Sequence, residues 1–199
     1  VERLFEEKIN INLPDSDIIY FPSFLTTKKA THYLHKLKDS IPWQQDSISV
    51  YGKTYPQPRL TALFGNNEKT YSYSNIVMRP HKFKGELLEI KQSVEDITET
   101  IFTTCLLNLY RNGKDSNGWH SDDEKELGYN PIIASVSLGQ ERHFHLRHKT
   151  NPLLKYKMVL EHGSLLLMRG ATQHHWLHQI PKTAKQINER INLTFRVIL

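Results

Sequence analysis

The sequence predicts a mainly β fold of the α+β class, a sandwich or jelly roll with two helices ahead of its strands. Three observations predict it. After Thr103 the hydrophobic period changes from helical to two and stays there for most of the remaining chain. Seven short candidate strands, separated by turns rich in Gly, Pro, Asn and Lys, fall within fewer than 100 residues. Both helical stretches precede those strands instead of alternating with them, which argues against a doubly wound parallel sheet.

The first 25 residues hold short apolar runs such as Asp17-Ile18-Ile19-Tyr20-Phe21, interrupted by Pro14 and Pro22, and read as an arm and an edge strand. Over 26–40, Ala30, Tyr33, Leu34 and Leu37 recur at helical spacing, with Thr26 or Thr27 placed to cap the start. Residues 48–78 turn extended and rich in Tyr, Thr and Gly, and Tyr51-Gly52-Lys53 reads as a hairpin turn. From 85 to about 102, Leu87, Ile90, Val94, Ile97 and Ile101 step by three or four residues and form one apolar stripe, the second helix. The candidate strands follow at 104–111, 132–138, 142–148, 156–161, 164–168, 174–178 and 190–198.

The 199 residues, 38% hydrophobic and 24% charged, have the composition of an ordinary globular protein and predict a single domain over 1–199. An excess of 26 Lys and Arg over 21 Asp and Glu, net +5, points to a polyanion or an acidic small molecule as partner. No apolar run approaches the roughly 20 residues of a spanning helix. The charged start lacks a signal-peptide core, so a soluble, intracellular protein is expected: cytoplasmic in a bacterium, nuclear or cytoplasmic in a eukaryote. The single Cys105 excludes an internal disulfide and an all-cysteine zinc site, leaving the 11 histidines and the carboxylates to hold any metal.

Alternation along the last strand puts Ile191, Leu193 and Phe195 on one face and Arg190, Asn192, Thr194 and Arg196 on the other. Two guanidinium groups flanking an amide and a hydroxyl suit a small anion with two carboxylates, although a solvated outer face is the plainer alternative. The strand at 104–111 alternates likewise, so Asn108 and Tyr110 share a face that can complete the anion site. In Trp119-His120-Ser121-Asp122-Asp123-Glu124 an extended backbone projects His120 and Asp122 to one side. That is two thirds of an Fe(II) facial triad, which leaves positions for a bidentate cosubstrate and O2. Candidates for the third ligand are His143, His145, His148, His162, His174, His175 and His178, and spacing alone does not choose among them. His178, at the end of an apolar strand just before Pro181, suits a barrel-mouth ligand.

Taken together, Asn108-Leu109-Tyr110, His120-Ser121-Asp122, Trp176-Leu177-His178 and Arg190-Ile191-Asn192-Leu193-Thr194-Phe195-Arg196 resemble the AlkB family of Fe(II)/2-oxoglutarate-dependent nucleic-acid dioxygenases. The resemblance runs from about 51 to 199, and it implies a double-stranded β-helix buttressed by two N-terminal helices. It implies Fe(II) on His120, Asp122 and His178. It also implies 2-oxoglutarate neutralised by Arg190 and Arg196, helped by Asn108, Tyr110, Asn192 and Thr194, with the pairing of arginines to carboxylates left open. The implied reaction consumes O2 and converts 2-oxoglutarate to succinate and CO2. It removes the methyl group of adenine alkylated at N1 or cytosine alkylated at N3, in DNA or RNA, as formaldehyde.

The same resemblance divides the chain into an N-terminal arm and helix over 1–50, a nucleotide-recognition region over 51–80, and a jelly-roll core over 104–199. A base acted on by such an enzyme has to be flipped out of its stack. Tyr73, near Tyr71, takes the place of the aromatic that sandwiches the base against His120, Tyr51 that of a wedge, and Asp123 and Glu124 that of carboxylates reading a cationic base edge. Lys53, Arg59 and the basic strand at 142–149 are candidate phosphate contacts. For each of these, ordinary packing or a solvated face is the alternative. Cys105, His143, His145, His174 and His175 receive no role, and Trp119 and Trp176 are expected to anchor the core behind the metal. The expected partner is DNA or RNA carrying alkylated bases, met by a monomer without membrane attachment. Two rivals remain: the same iron chemistry on a protein or small molecule, and a basic nucleic-acid-binding module without turnover.

Overall fold

The computed structural model describes residues 7–50, 53–66, 71–73 and 76–198, with side chains described for all of these except 48–50, 71–73 and 76–78. The arm forms β1 (Ile9–Ile11) and β2 (Asp17–Phe21), followed by α1 (Thr27–Ser40), whose first turn is capped by the Thr26 hydroxyl accepting from the Lys29 N–H. The tyrosine-rich region gives β3 (Ser47–Val50), β4 (Lys53–Pro56), β5 (Leu60–Gly65), β6 (Tyr71–Tyr73), β7 (Ile76–Met78) and β8 (His81–Lys82). Val50 pairs with Lys53 across the expected hairpin. After α2 (Gly85–Thr98) come β9 (Thr104–Tyr110), β10 (Asn117–His120), β11 (Ile133–Gly139), β12 (Arg142–His148), β13 (Lys155–Leu160) and β14 (Leu165–Arg169). A single turn, α3 (Thr172–His175), leads into β15 (Trp176–Ile180), and β16 (Arg190–Arg196) closes the fold.

Period-two alternation lets the central strands of the larger sheet bury one face against helices and the other against the smaller sheet, and the result is a jelly roll. The larger sheet runs β1-β2-β14-β11-β16-β9-β5-β8, and the smaller runs β10-β15-β12-β13. The two helices cover the outer face of the larger sheet. Leu37, Leu87, Ile90 and Val94 pack there on Cys105, Leu107, Ile191, Leu193 and Phe195. A second apolar cluster, including Ile133, Phe144, Leu146, Met168 and Trp176, fills the space between the sheets. All seven residues of β9 and all seven of β16 are buried, so the polar face of β16 looks into the sandwich and not into solvent. Among the described residues no helix is long and apolar enough to cross a membrane.

Three expectations need correction. The second helix stops at Thr98 because Glu99 enters the left-handed region at φ 51° and the Glu95 carboxylate accepts from the Phe102 N–H. Ile101 is therefore 77% exposed and no part of the stripe. The strand expected at 174–178 starts only at Trp176, because the chain first turns through α3, a helix too short to leave a period. Trp176 does anchor the inner core, its indole N–H donating to the Pro14 carbonyl. Trp119, in contrast, is only half-buried and lies beneath Arg147.

Candidate functional site

The smaller sheet brings two distant histidines together: His120 ends β10 and stands in register with His178 of β15, ring centroids 4.2 Å apart. Asp122 follows two residues beyond the strand, its backbone N–H held by the Gln173 side-chain carbonyl at 2.9 Å. One donor atom from each of His120, Asp122 and His178 lies within 4.8 Å of the other two. His120 Nδ1 donates to the Gly118 carbonyl at 2.7 Å, which leaves Nε2 with its lone pair. Burial, reinforced by the neighbouring His120, holds His178 down at about 3, and burial likewise lowers His120. Burial alone would raise Asp122, but Arg196 and the two imidazoles override it and bring the carboxyl to about 2. Two neutral imidazoles and one carboxylate match the donor set of a ferrous facial triad without proton competition.

From this triad the inner face of the larger sheet runs as a polar wall. Arg196 donates to Asp122 Oδ1 at 2.6 Å, Thr194 to the Asn192 side chain at 2.9 Å, and Asn192 to Ser135 Oγ at 2.7 Å. At the far end Arg190 donates to Ser137 Oγ at 3.0 Å, while its buried Nε and Nη1 have no acceptor among the described residues. The Tyr110 ring lies 5.2 Å from this guanidinium and 5.6 Å from that of Arg142. Burial lowers the pKa of Arg190, Tyr110 partly restores it and Arg142 lowers it again, leaving it at about 10. A buried cation with two unmet donors is costly unless an anion joins it. The free carboxylate of a dicarboxylic keto acid has the two acceptor oxygens that would meet both donors.

His120, Asp122, His178, Asn108, Tyr110, Arg190, Asn192, Thr194 and Arg196 thus line one pocket between the sheets. Asn108 has a partner that sequence reasoning assigned elsewhere: Arg59, expected on phosphate, is buried and donates from Nε to Asn108 Oδ1 at 2.7 Å. Arg142 is also withdrawn from phosphate, its guanidinium buried on the carbonyls of Asp115 and Pro181. Asp123 is exposed and receives hydrogen bonds from Ser121 and Lys149, which outweigh desolvation and lower its pKa. Glu124 follows, half-buried, and Lys53 is exposed on β4. Tyr51 lies outside the described residues, as do the side chains of Tyr71 and Tyr73.

Sequence reasoning assigned no function to Ser135, Ser137 and Gln173. The two serines carried a signal, polar residues two apart in an otherwise apolar strand; Gln173 carried none. Asp15, His148 and His175 form a second cluster of possible ligands. There, however, His148 Nδ1 accepts from the Thr150 and Asn151 N–H groups, which places the proton on Nε2, the atom facing Asp15 at 3.4 Å. That atom is a donor and not a ligand lone pair.

A family model described as the 2OG-Fe(II) oxygenase superfamily matches residues 17–196. The chain is 42% identical over 192 residues to human alpha-ketoglutarate-dependent dioxygenase alkB homolog 3, covering 92% of this chain and 66% of that protein. It is 37% identical to the Arabidopsis thaliana DNA oxidative demethylase ALKBH2, covering 92% of this chain and 67% of the relative. The solved structure of OsALKBH1 superposes with a TM-score of 0.67 over 95% of this chain and 100% of the other at 15% identity, a likeness of fold.

Proposed function

The chain belongs to the 2OG-Fe(II) oxygenase superfamily and, within it, to the AlkB family, and from that premise we propose that it oxidatively demethylates N-alkylated nucleic-acid bases. The methyl group leaves as formaldehyde while 2-oxoglutarate and O2 become succinate and CO2. The observation that carries the reading is the pairing, in one buried pocket, of the His120/Asp122/His178 cluster with an arginine whose Nε and Nη1 lack acceptors.

His120, Asp122 and His178 would hold Fe(II), which when bound supplies the O2 and one-electron chemistry that side chains lack. Arg196 sits at the metal end, 2.6 Å from Asp122, so it is assigned the carboxylate next to the keto group. Arg190, at the other end of the same strand face with Ser137 and Tyr110, is assigned the distal carboxylate. Asn192, Thr194 and Ser135 satisfy one another along the wall between and keep the pocket rigid. Arg59 holds Asn108 by its carbonyl, so the Asn108 amide N–H groups are left to face the pocket. For the substrate, Asp123 is kept ionised beside the triad and favours a cationic methylated adenine or cytosine. Tyr73 and Tyr71 are assigned to stacking, Tyr51 to the wedge, and Glu124 and Lys53 to supporting contacts.

The test is mass analysis of methylated single- and double-stranded DNA and RNA oligonucleotides incubated with protein, iron, ascorbate and 2-oxoglutarate. Loss of one methylene mass from at least one substrate is expected. If no oligonucleotide loses mass or stimulates succinate formation, the iron chemistry serves a protein or small-molecule substrate instead.

A further inference from the structure

One buried cation has no part in the chemistry above. Along β12 buried and outward residues alternate, and Arg142 shares the inward face with Phe144 and Leu146 of the inner apolar cluster. It is 4% exposed, and the three acceptors it reaches are neutral main-chain carbonyls, those of Asn112 at 3.4 Å, Asp115 at 2.9 Å and Pro181 at 2.7 Å. The Asp115 carboxylate is occupied elsewhere, accepting from the Arg111 main-chain N–H, Nε and Nη2 at 2.9, 2.8 and 3.0 Å. A buried guanidinium bonded to carbonyls instead of a carboxylate is costly. Fastening the two loops it touches does not require that cost, because they also hold each other. The Thr183 N–H donates to the Gly113 carbonyl at 2.8 Å, and a Cβ at Gly113 would stand 2.6 Å from the Thr183 carbonyl oxygen. Arg142 does not itself line the pocket, but the Tyr110 ring connects it to one that does: Cζ of Arg142 lies 5.6 Å from the ring centroid and Cζ of Arg190 lies 5.2 Å from it.

We propose that Arg142 is a positioning residue for the cosubstrate: together with Arg190 it makes the distal end of the pocket doubly cationic, so that a 2-keto acid with a second carboxylate is selected over one that ends in a methyl group. The inference rests on the cosubstrate assignment above and adds a residue one ring removed from the anion. Two effects reach the ligand. The charge acts through space: at ~10 Å and an effective dielectric of ~20, one unit charge changes the affinity for another by roughly ten-fold. The guanidinium also lies over the Tyr110 ring and steadies the side chain that packs on Arg190. Carbonyl oxygens fix Arg142 in place and leave its field intact, whereas a bonded carboxylate would cancel it. That is the arrangement a site for a dianion needs before the dianion arrives.

The experiment is calorimetry of two keto acids on the full chain loaded with Mn(II): 2-oxoglutarate, and 2-oxopentanoate, which has the same carbon chain without the distal carboxylate. Arg142→Gln keeps an amide donor for the carbonyls and removes the charge. It should weaken 2-oxoglutarate binding roughly ten-fold and leave 2-oxopentanoate within about two-fold of wild type. Arg142→Lys restores the charge and should recover most of the loss. In turnover, Arg142→Gln should raise the KM for 2-oxoglutarate with kcat unchanged. Undiminished 2-oxoglutarate affinity in Arg142→Gln overturns the proposal. So does an equal loss for both keto acids, or an equal loss in Arg142→Lys, since either would make Arg142 a fastener of loops. If Arg142→Gln does not fold, Arg142→Lys decides: a retained preference for the dicarboxylate supports the role of charge, and a lost preference overturns it. A wild-type protein that binds both keto acids alike would remove the cosubstrate assignment and this inference with it. A wild-type preference that Arg142→Gln leaves intact removes this inference alone.

Discussion

Arg190 and Arg196 share one face of one strand and are both buried, yet their electrostatic surroundings are opposite. Arg196 faces the carboxylate of Asp122 at 2.6 Å, inside the candidate metal cluster. Arg190 has a serine hydroxyl, an aromatic ring and another arginine nearby, and two of its nitrogens have no acceptor among the described residues. The first already has a protein carboxylate as partner and organises a metal-binding group. The second gains its counter-charge only when an anion arrives. Local alternation made the two arginines look equivalent; the difference lies in what the opposite sheet and neighbouring strands bring to each.

The largest expected effect tests the end already paired. Asp122→Asn removes the carboxylate facing Arg196 and the only anion of the triad. Formaldehyde release should fall below detection, and urea unfolding should show a loss of about 3–5 kcal/mol, the cost of breaking a buried charge pair from one side. Stability within 1 kcal/mol of wild type would mean that Asp122 and Arg196 are not coupled. Next, the two arginines are compared directly by replacing each with Met. Arg190→Met should raise the KM for 2-oxoglutarate roughly 10²-fold, from a cost of about 2–5 kcal/mol for truncating a buried charge contact, without lowering the melting temperature. Arg196→Met should lower the melting temperature. The reverse order of melting temperatures would invert the comparison.

Ligand linkage gives a third and smaller measure. At 100 times its dissociation constant, 2-oxoglutarate should stabilise wild-type protein by about 2.7 kcal/mol, read as an upward shift in thermal unfolding. The same concentration should leave Arg190→Met almost unmoved, and an undiminished shift would place the distal carboxylate elsewhere. Ser137→Ala, which removes one hydrogen bond to Arg190 Nη2, should cost only about 0.5–1.5 kcal/mol of 2-oxoglutarate affinity by calorimetry. A loss as large as that of Arg190→Met would assign the grip to the hydroxyl and not to the charge.

Much of this architecture was legible in the chain. Strict alternation in 104–111 and 190–198 declared both the core face and the polar face, because in a strand that residues enter and leave a face two at a time follows from backbone geometry alone. The apolar stripes at 26–40 and 85 to about 102 declared the helices for the same kind of reason, the second one overshooting its end. His120 and Asp122 were found because their spacing is local. Helix termination at Glu99 and the short helix before Trp176 were not, since each depends on one residue's dihedral angle or a single turn. Arg59 and Arg142 misled, because a basic residue in a polar segment reads as solvent-facing until the chain that covers it is known.

The sequence by itself determined the elements, their faces and the inventory of ligands, since these depend on neighbours within a few positions. Only the tertiary structure decided that His178 of β15 meets His120 of β10, that Arg59 serves Asn108 and that Arg190 has no carboxylate partner among the described residues. These are meetings between segments tens of residues apart, and they are selected by the register between strands and by the cost of burying charge, neither of which leaves a local period to read.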